Sequence, residues 1–220
     1  VIGSDKCILD IGEIIMIIVI AEIITDILYK LYEPFGFAVL LTILGLVYFM
    51  YATDGIAAGE GYKRILMELY LHLKKDRKYR KVCALIFYTA MILFTTLINR
   101  TIWLNPLSDV MGDWWIYKYN TTTGTKELST ACLENIILFI PYVYMVMSIK
   151  YENIKKPKIW SSIVYGGKIA FYFSAIIEFL QLFLRLGTFQ ISDFVYNTLG
   201  GILGVILYKL ILITKRDGER

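Results

Sequence analysis

Histidine, cysteine and charged residues are all scarce in this sequence. The 220 residues include one histidine, His72, three cysteines and 19% charged residues. The cysteines are odd in number and never form a C-x-x-C pair, so neither a cysteine/histidine zinc site nor a disulfide framework is expected. We expect no metal ion and no cofactor, and we identify no catalytic residue.

Apolar residues take the place of the missing charges. Hydrophobic residues make up 57% of the chain, and the mean hydropathy of +0.60 exceeds that of water-soluble globular domains. The 23 Lys and Arg residues outnumber the 19 Asp and Glu residues only slightly, and they lie between apolar runs. This balance excludes a soluble globular protein and does not favour a nucleic-acid-binding protein.

Six apolar segments are long enough to cross a bilayer as helices. A helix needs about 20 residues to span the hydrocarbon core, where its backbone must satisfy its own hydrogen bonds. The predicted spans are Ile8–Tyr29, Pro34–Thr53, Val82–Asn99, Ala131–Ser148, a stretch within Ile159–Arg185, and Phe194–Thr214. We therefore predict an all-α fold, a polytopic bundle of six transmembrane helices.

Basic residues predict the orientation of this bundle. Lys and Arg concentrate in residues 63–81, 150–158 and 215–220, which lie on one side of a six-span bundle. Because short cytoplasmic loops are rich in these residues, both termini are predicted to be cytoplasmic. The extracellular loop Thr101–Thr130 then carries tryptophans and tyrosines that suit the headgroup region, so we expect it to lie along the outer surface. Residues 63–81 alternate leucine with charge, as is typical of an interfacial helix that contacts anionic lipid.

Polar residues gather at the predicted outer ends of the last four spans. An ionisable side chain inside a span costs about 2.5 to 3.5 kcal/mol, so it usually faces the bundle interior or water. Helical spacing puts Glu178, Gln181 and Arg185 on one face, and the same holds for Asp193 and Asn197. We predict one cluster in the outer half of the membrane, formed by Arg100, Asn135, Glu178, Gln181, Arg185, Asp193 and Asn197.

The residues leave the role of this cluster open. It is either a hydrated polar cavity that binds a ligand at the outer leaflet or a structural network of charge-assisted hydrogen bonds that joins the spans. Glu178 lies near the midplane or closer to the outside, depending on where the fifth span begins. In the first span, Glu22 and Asp26 either join the cluster or oppose Lys30.

Glycine and proline predict how the last spans pack. Gly200 and Gly204 form a GxxxG pattern, which lets a neighbouring helix approach closely. Pro141 leaves the carbonyl of Ile137 without its intrahelical donor, so we expect a kink and an acceptor that is free for a neighbouring polar group.

These motifs together resemble the VanZ-like family of bacterial membrane proteins. The resemblance rests on Asp193-Phe-Val-Tyr-Asn197-Thr-Leu-Gly200-Gly201-Ile-Leu-Gly204, on Glu178-x-x-Gln181, on the stretch from Asn135 to Pro141, and on Arg100 followed by Asn105-Pro106. It covers about residues 82–214. We therefore predict an N-terminal transmembrane hairpin and basic loop over residues 1–81, and a VanZ-like four-helix domain with a cytoplasmic tail over 82–220.

The resemblance implies a role in the bacterial cell envelope. The family's namesake is associated with tolerance of teicoplanin, a lipid-tailed glycopeptide antibiotic that acts at the outer face of the plasma membrane. The expected partners are membrane lipid and either a lipid-linked cell-wall precursor or a lipoglycopeptide antibiotic, with no nucleic acid.

Two other functions stay open. In an intramembrane enzyme, two carboxyl groups act as acid and base while Arg100 and Arg185 bind a lipid-linked phosphate. Against this, intramembrane chemistry of the phospholipid-phosphatase or rhomboid type needs a histidine within the membrane. The single histidine, His72, lies in the predicted cytoplasmic loop. A transporter of lipids or small molecules is the third possibility, although the sequence has no pair of Gly/Pro-broken helices in matching halves.

Overall fold

The helices of this protein dominate its computed structural model, which describes residues 16–18, 20–22, 24–25, 28–29, 32–54, 62–98, 100–120, 124–151 and 158–217. The elements are α1 (Phe35–Asp54), α2 (Tyr62–Lys75), α3 (Arg77–Leu93) with a π-helical turn (Phe94–Ile98), β1 (Tyr117–Asn120), β2 (Thr125–Leu128), α4 (Ala131–Lys150), α5 (Ile159–Leu184) and α6 (Ile191–Asp217). The predicted all-α class is confirmed, apart from the short β1–β2 hairpin, which the sequence analysis did not predict.

Four of the described helices are long and apolar enough to cross a membrane. They cover Arg77–Ile98, Ala131–Lys150, Ile159–Leu184 and Ile191–Lys215, and they correspond to the last four predicted spans. The second predicted span coincides with α1, whose apolar part is the shorter stretch Phe35–Tyr48. Much of the first predicted span, including Asp26, lies outside the described residues, and so does Lys30, which follows this span.

The third span begins earlier than predicted. Helix α3 starts at Arg77 rather than Val82, because Asp76 caps it: a side-chain oxygen of Asp76 accepts a hydrogen bond of 2.8 Å from the Lys78 backbone N–H. Asp76 also separates α3 from α2, so the predicted helix over residues 63–81 is two helices. Leu69 of α2 packs with Leu46 and Met50 of α1 and with Tyr79 of α3. This apolar cluster holds α1 and α2 against α3.

Helix α6 lies directly against the backbone of α4. A Cβ atom at Gly204 would meet the Ile140 carbonyl oxygen at 2.5 Å, and one at Gly200 would collide with the Ile136 carbonyl. On its other side, Gly201 faces Ala170 of α5. The predicted close approach at the GxxxG pattern is confirmed, because these surfaces meet only where side chains are absent.

Pro141 lies inside α4 without ending the helix. The Tyr88 hydroxyl of α3 donates a hydrogen bond of 3.0 Å to the carbonyl of Leu138. A neighbouring polar group therefore does donate to a backbone carbonyl in this turn of α4, as expected. The acceptor is the carbonyl of Leu138 rather than that of Ile137.

The segment 100–116 covers one end of the bundle, which we call the capped end. Here α3 and α5 end and α4 and α6 begin. Backbone hydrogen bonds tie the segment to the α5–α6 connection: Trp103 N–H to Arg185 C=O (2.8 Å), Phe189 N–H to Pro106 C=O (2.9 Å) and Ile191 N–H to Val110 C=O (2.8 Å). The segment is thus fixed over the helix ends.

Candidate functional site

Two carboxyl groups face each other at the capped end. Glu178 lies six residues before the end of α5, about 9 Å along the helix axis, and Asp193 lies in the first turn of α6. Their side chains are within hydrogen-bonding reach of each other. Glu178 is only 2% exposed.

Other segments of the same polypeptide supply hydrogen-bond donors to both acids. The Gln190 backbone N–H donates to Oε2 of Glu178 at 3.0 Å, and Nδ2 of Asn135 donates to Oδ1 of Asp193 at 2.8 Å. Both carboxyl groups also lie at the N-terminus of the 27-residue helix α6, where the helix dipole favours negative charge. The pair is held by a donor from α4, by a donor from the residue just before α6, and by this dipole.

Arg100 is the charged partner of the pair. Its guanidinium acts electrostatically on both Glu178 and Asp193. A Cβ atom at Gly187 would lie 3.8 Å from Nη1 of Arg100, which places this guanidinium over the α5–α6 connection. Arg100 itself is exposed, so a positive group at the rim lies beside one buried acid, Glu178, and one half-buried acid, Asp193.

A second polar contact between α5 and α6 lies one helical turn deeper. Asn197 is four residues after Asp193, and its Nδ2 donates to Oγ of Ser174 at 2.8 Å; Ser174 is four residues before Glu178. Oδ1 of Asn197 has no hydrogen-bond partner among the described residues, although the side chain is 5% exposed. Below this contact, Gly201 against Ala170 closes the interface with apolar atoms.

Gln181 joins the cluster to α3. Its Nε2 donates to the carbonyl of Thr96 at 2.7 Å, inside the π-helical turn Phe94–Ile98. A π turn disturbs the regular hydrogen-bond ladder and recurs at functional sites. Gln181 therefore fixes the end of α3 from which Arg100 extends.

Arg185 has no side-chain hydrogen bond to the carboxyl pair among the described residues, and unlike Gln181 and Asn197 it is exposed. Helix α5 ends at Leu184, and Arg185 takes the left-handed conformation with φ of 56°. The Leu186 N–H bonds the Gln181 carbonyl at 2.9 Å, the closure of a Schellman motif. The 3.6-residue periodicity stops one residue before Arg185, so it leaves the helical face that Glu178 and Gln181 share.

Gln190 and Asp109 are parts of the site that sequence reasoning missed. Nε2 of Gln190 donates to Oδ2 of Asp109 and to Oγ1 of Thr188, each at 3.1 Å. The only signal in the sequence is that Gln190 precedes Asp193 by three residues. The contact with Asp109 depends on how residues 100–116 fold back, which helical periodicity does not describe.

This arrangement brings a cation and two carboxyl groups together at the capped end. The guanidinium suits an anionic group, and the carboxyl pair suits a hydrogen-bond donor. His72 stacks on Tyr79 at 5.3 Å, beside the junction of α2 and α3, and so lies outside the cluster. Among the described residues there is no group of three or more His, Cys, Asp or Glu side chains that could hold a metal ion.

Comparison with known proteins bears on the origin of this arrangement. The sequence model of the VanZ/LLP1 family matches residues 37–212. Comparisons with curated proteins and with solved structures gave no match. The matched range includes α1 and α2 as well as the last four helices, so it reaches further towards the N-terminus than the motifs near the capped end; the division of the chain at residue 82 stays a prediction. The chain is a member of the VanZ/LLP1 family, and its long apolar helices are those of a membrane protein.

Proposed function

We propose that this protein is a multi-pass protein of the bacterial plasma membrane with six spans and both termini in the cytoplasm. Lysines and arginines lie where α2 meets α3, at the far end of α3 from Arg100. The rule that short cytoplasmic loops are rich in basic residues puts that end inside and the capped end outside. The first span, over Ile8–Tyr29, and α1 complete the six.

The proposed function is the engagement of a lipid-linked polar group at the outer leaflet, as a contribution to teicoplanin-type glycopeptide resistance. One observation carries this proposal: an exposed guanidinium, Arg100, lies beside the buried Glu178 and the half-buried Asp193 at one end of the bundle. A purely structural ion pair has no need of an accessible cation at the rim. The family's association with teicoplanin tolerance supports the choice of ligand.

The chemistry of the site favours a ligand that carries an anionic group next to hydrogen-bond donors. Arg100 can bind a phosphate or a carboxylate in a bidentate manner, and its guanidinium lies close enough to the carboxyl pair to act on both acids electrostatically. Both a lipid-linked cell-wall precursor and a lipoglycopeptide antibiotic present such groups next to an apolar tail. In either case the tail lies in the outer leaflet and the polar group reaches Arg100.

Glu178→Gln and Asp193→Asn test this function in cells that depend on the protein for teicoplanin tolerance. Each variant keeps a side chain of nearly the same shape and replaces one carboxyl group of the pair beside Arg100 with an amide. We expect tolerance to fall to that of cells without the protein, while the amount of protein in the membrane stays the same. Growth at increasing teicoplanin concentration and immunoblots of membrane fractions measure the two quantities.

Arg185→Gln is the matched control. It removes a charge at the same end of the bundle but outside the carboxyl pair, so tolerance is expected to persist. Full tolerance in Glu178→Gln and Asp193→Asn cells would contradict the proposal. Loss of the protein itself in both variants would instead assign the cluster a structural role.

A further inference from the structure

The segment 102–115 turns its charged residues inward. It contains two charged side chains, Asp109 and Asp113. Asp109 accepts a hydrogen bond from Gln190 at 3.1 Å, and Asp113 accepts one from Ser129 at 3.2 Å. Both acids therefore bond to other parts of the protein, and both are only partly exposed.

The same segment turns large apolar side chains outward. Leu104 is 92% exposed, Ile102 78% and Trp115 71%. Four more large hydrophobic residues are also exposed: Trp103, Leu107, Met111 and Trp114. A loop in water has the opposite arrangement, because exposed apolar patches of this size are rare on soluble surfaces.

The backbone of this segment is held in place. Besides the three backbone hydrogen bonds to the α5–α6 connection, the backbone N–H of Trp115 donates to the hydroxyl of Tyr196 at 2.8 Å. Gly112 packs against Ser192 so closely that a Cβ atom there would collide with the serine hydroxyl. The fixed backbone prevents the apolar side chains from folding back onto the protein.

The exposed surface of the segment continues onto two candidate membrane helices. At the capped end, α5 and α6 expose apolar side chains, namely Phe179, Phe183, Leu184, Ile191 and Val195. One apolar surface thus runs from the sides of these helices onto the segment that covers their ends. Whatever covers the helix sides also reaches the segment, and for helices of this length and composition that is lipid.

We propose that segment 102–115 is inserted into the bilayer, with its apolar side chains at the boundary between headgroups and acyl chains. Lipid is its partner. Tryptophan favours this depth because its ring is apolar and its N–H is polar. The inference rests on the proposed topology only for the identity of the leaflet, which is the outer one, and the carboxyl pair then lies below the membrane surface.

Quenching of tryptophan fluorescence tests the insertion. The variant W114F/W115F/W160F of the full chain leaves Trp103 as its only tryptophan. It is reconstituted into phosphatidylcholine vesicles with or without bromine on the acyl chains, and acrylamide is the quencher from the aqueous phase. We expect brominated lipid to reduce Trp103 emission more than acrylamide does. The opposite order overturns the proposal.

Leu104 provides the matched pair of variants. In the Trp103 reporter, Leu104→Asp is expected to weaken quenching by brominated lipid and to strengthen quenching by acrylamide, whereas Leu104→Ile leaves both unchanged. Identical quenching in these two variants overturns the proposal. If the triple substitution lowers the yield, the unsubstituted protein serves, because three of its four tryptophans lie in the segment.

The result is independent of the proposed function. Glu178→Gln keeps every residue of the segment, so its quenching should match that of the parent reporter whether or not it supports teicoplanin tolerance. A lipid-inserted segment in a protein without effect on tolerance would contradict the proposed function alone.

Discussion

Replacing Gly200 or Gly204 by alanine is expected to leave little folded protein in the membrane. The added methyl group would meet the carbonyl oxygen of Ile136 or Ile140, which belongs to the α4 backbone and cannot move as a flexible side chain can. The two helices must therefore separate, with the loss of their interhelical packing. At about 3 kcal/mol for each site, the upper end of the usual cost of overpacking, one substitution removes a large part of a typical stability of about 5 to 15 kcal/mol.

Gly167→Ala is the matched control for this experiment. Its Cβ atom would lie 3.7 Å from Ile202 Cγ1, an ordinary contact distance, so the variant is expected to unfold at the temperature of the unsubstituted protein. Thermal unfolding in detergent, followed by the amount of monomer that survives size-exclusion chromatography, compares the variants. Equal stability of Gly204→Ala and Gly167→Ala would show that α4 and α6 do not approach as described.

Glu178→Leu is expected to lower the free energy of unfolding by about 2 kcal/mol. Leucine fits the buried volume but cannot accept the hydrogen bond from the Gln190 N–H. This donor precedes the first turn of α6, and with leucine it is left buried without an acceptor. The Asp193 carboxyl group also loses the neighbour with which it is within hydrogen-bonding reach.

Glu178→Gln separates the hydrogen bond from the carboxyl group. The amide oxygen of glutamine can still accept from Gln190, so most of the stability should remain although the carboxyl group is lost. Denaturant or thermal unfolding of both variants gives the comparison. If leucine and glutamine cost the same, the Gln190 hydrogen bond has no role in stability, and the structural account of Glu178 is wrong.

Much of the polar cluster follows from sequence because it depends on helical periodicity. Asp193 and Asn197 lie one turn apart on α6, and Glu178 and Gln181 share a face of α5, so the side chains that meet can be read from their spacing. The glycines of α6 likewise predict a close helix contact without any knowledge of the partner. Helix packing then brings Asn135 of α4 to Asp193.

The remaining features depend on backbone that departs from regular helix. Arg185 lies outside the cluster because α5 ends just before it and Arg185 itself takes the left-handed conformation. Glycine usually adopts this conformation, so the sequence gives no reason to expect it at an arginine. The π-helical turn that presents the Thr96 carbonyl to Gln181 has no sequence signature either. Gln190 became part of the site only through the fold of residues 100–116, where contacts between distant segments decide the geometry.

The central claim is that Arg100 and the carboxyl pair form one binding site for a lipid-linked polar group. Comparing substitutions of Arg100 and Arg185, the two arginines of the capped end, tests this claim most directly. The protein is placed in lipid nanodiscs and titrated with teicoplanin and, separately, with undecaprenyl-linked cell-wall precursor. We expect at least one of these ligands to bind about tenfold more weakly to Arg100→Gln than to the unsubstituted protein, as loss of a charge-assisted hydrogen bond predicts, and equally well to Arg185→Gln. If Arg100→Gln binds both ligands as tightly as the unsubstituted protein does, or if neither ligand binds, the claim is contradicted.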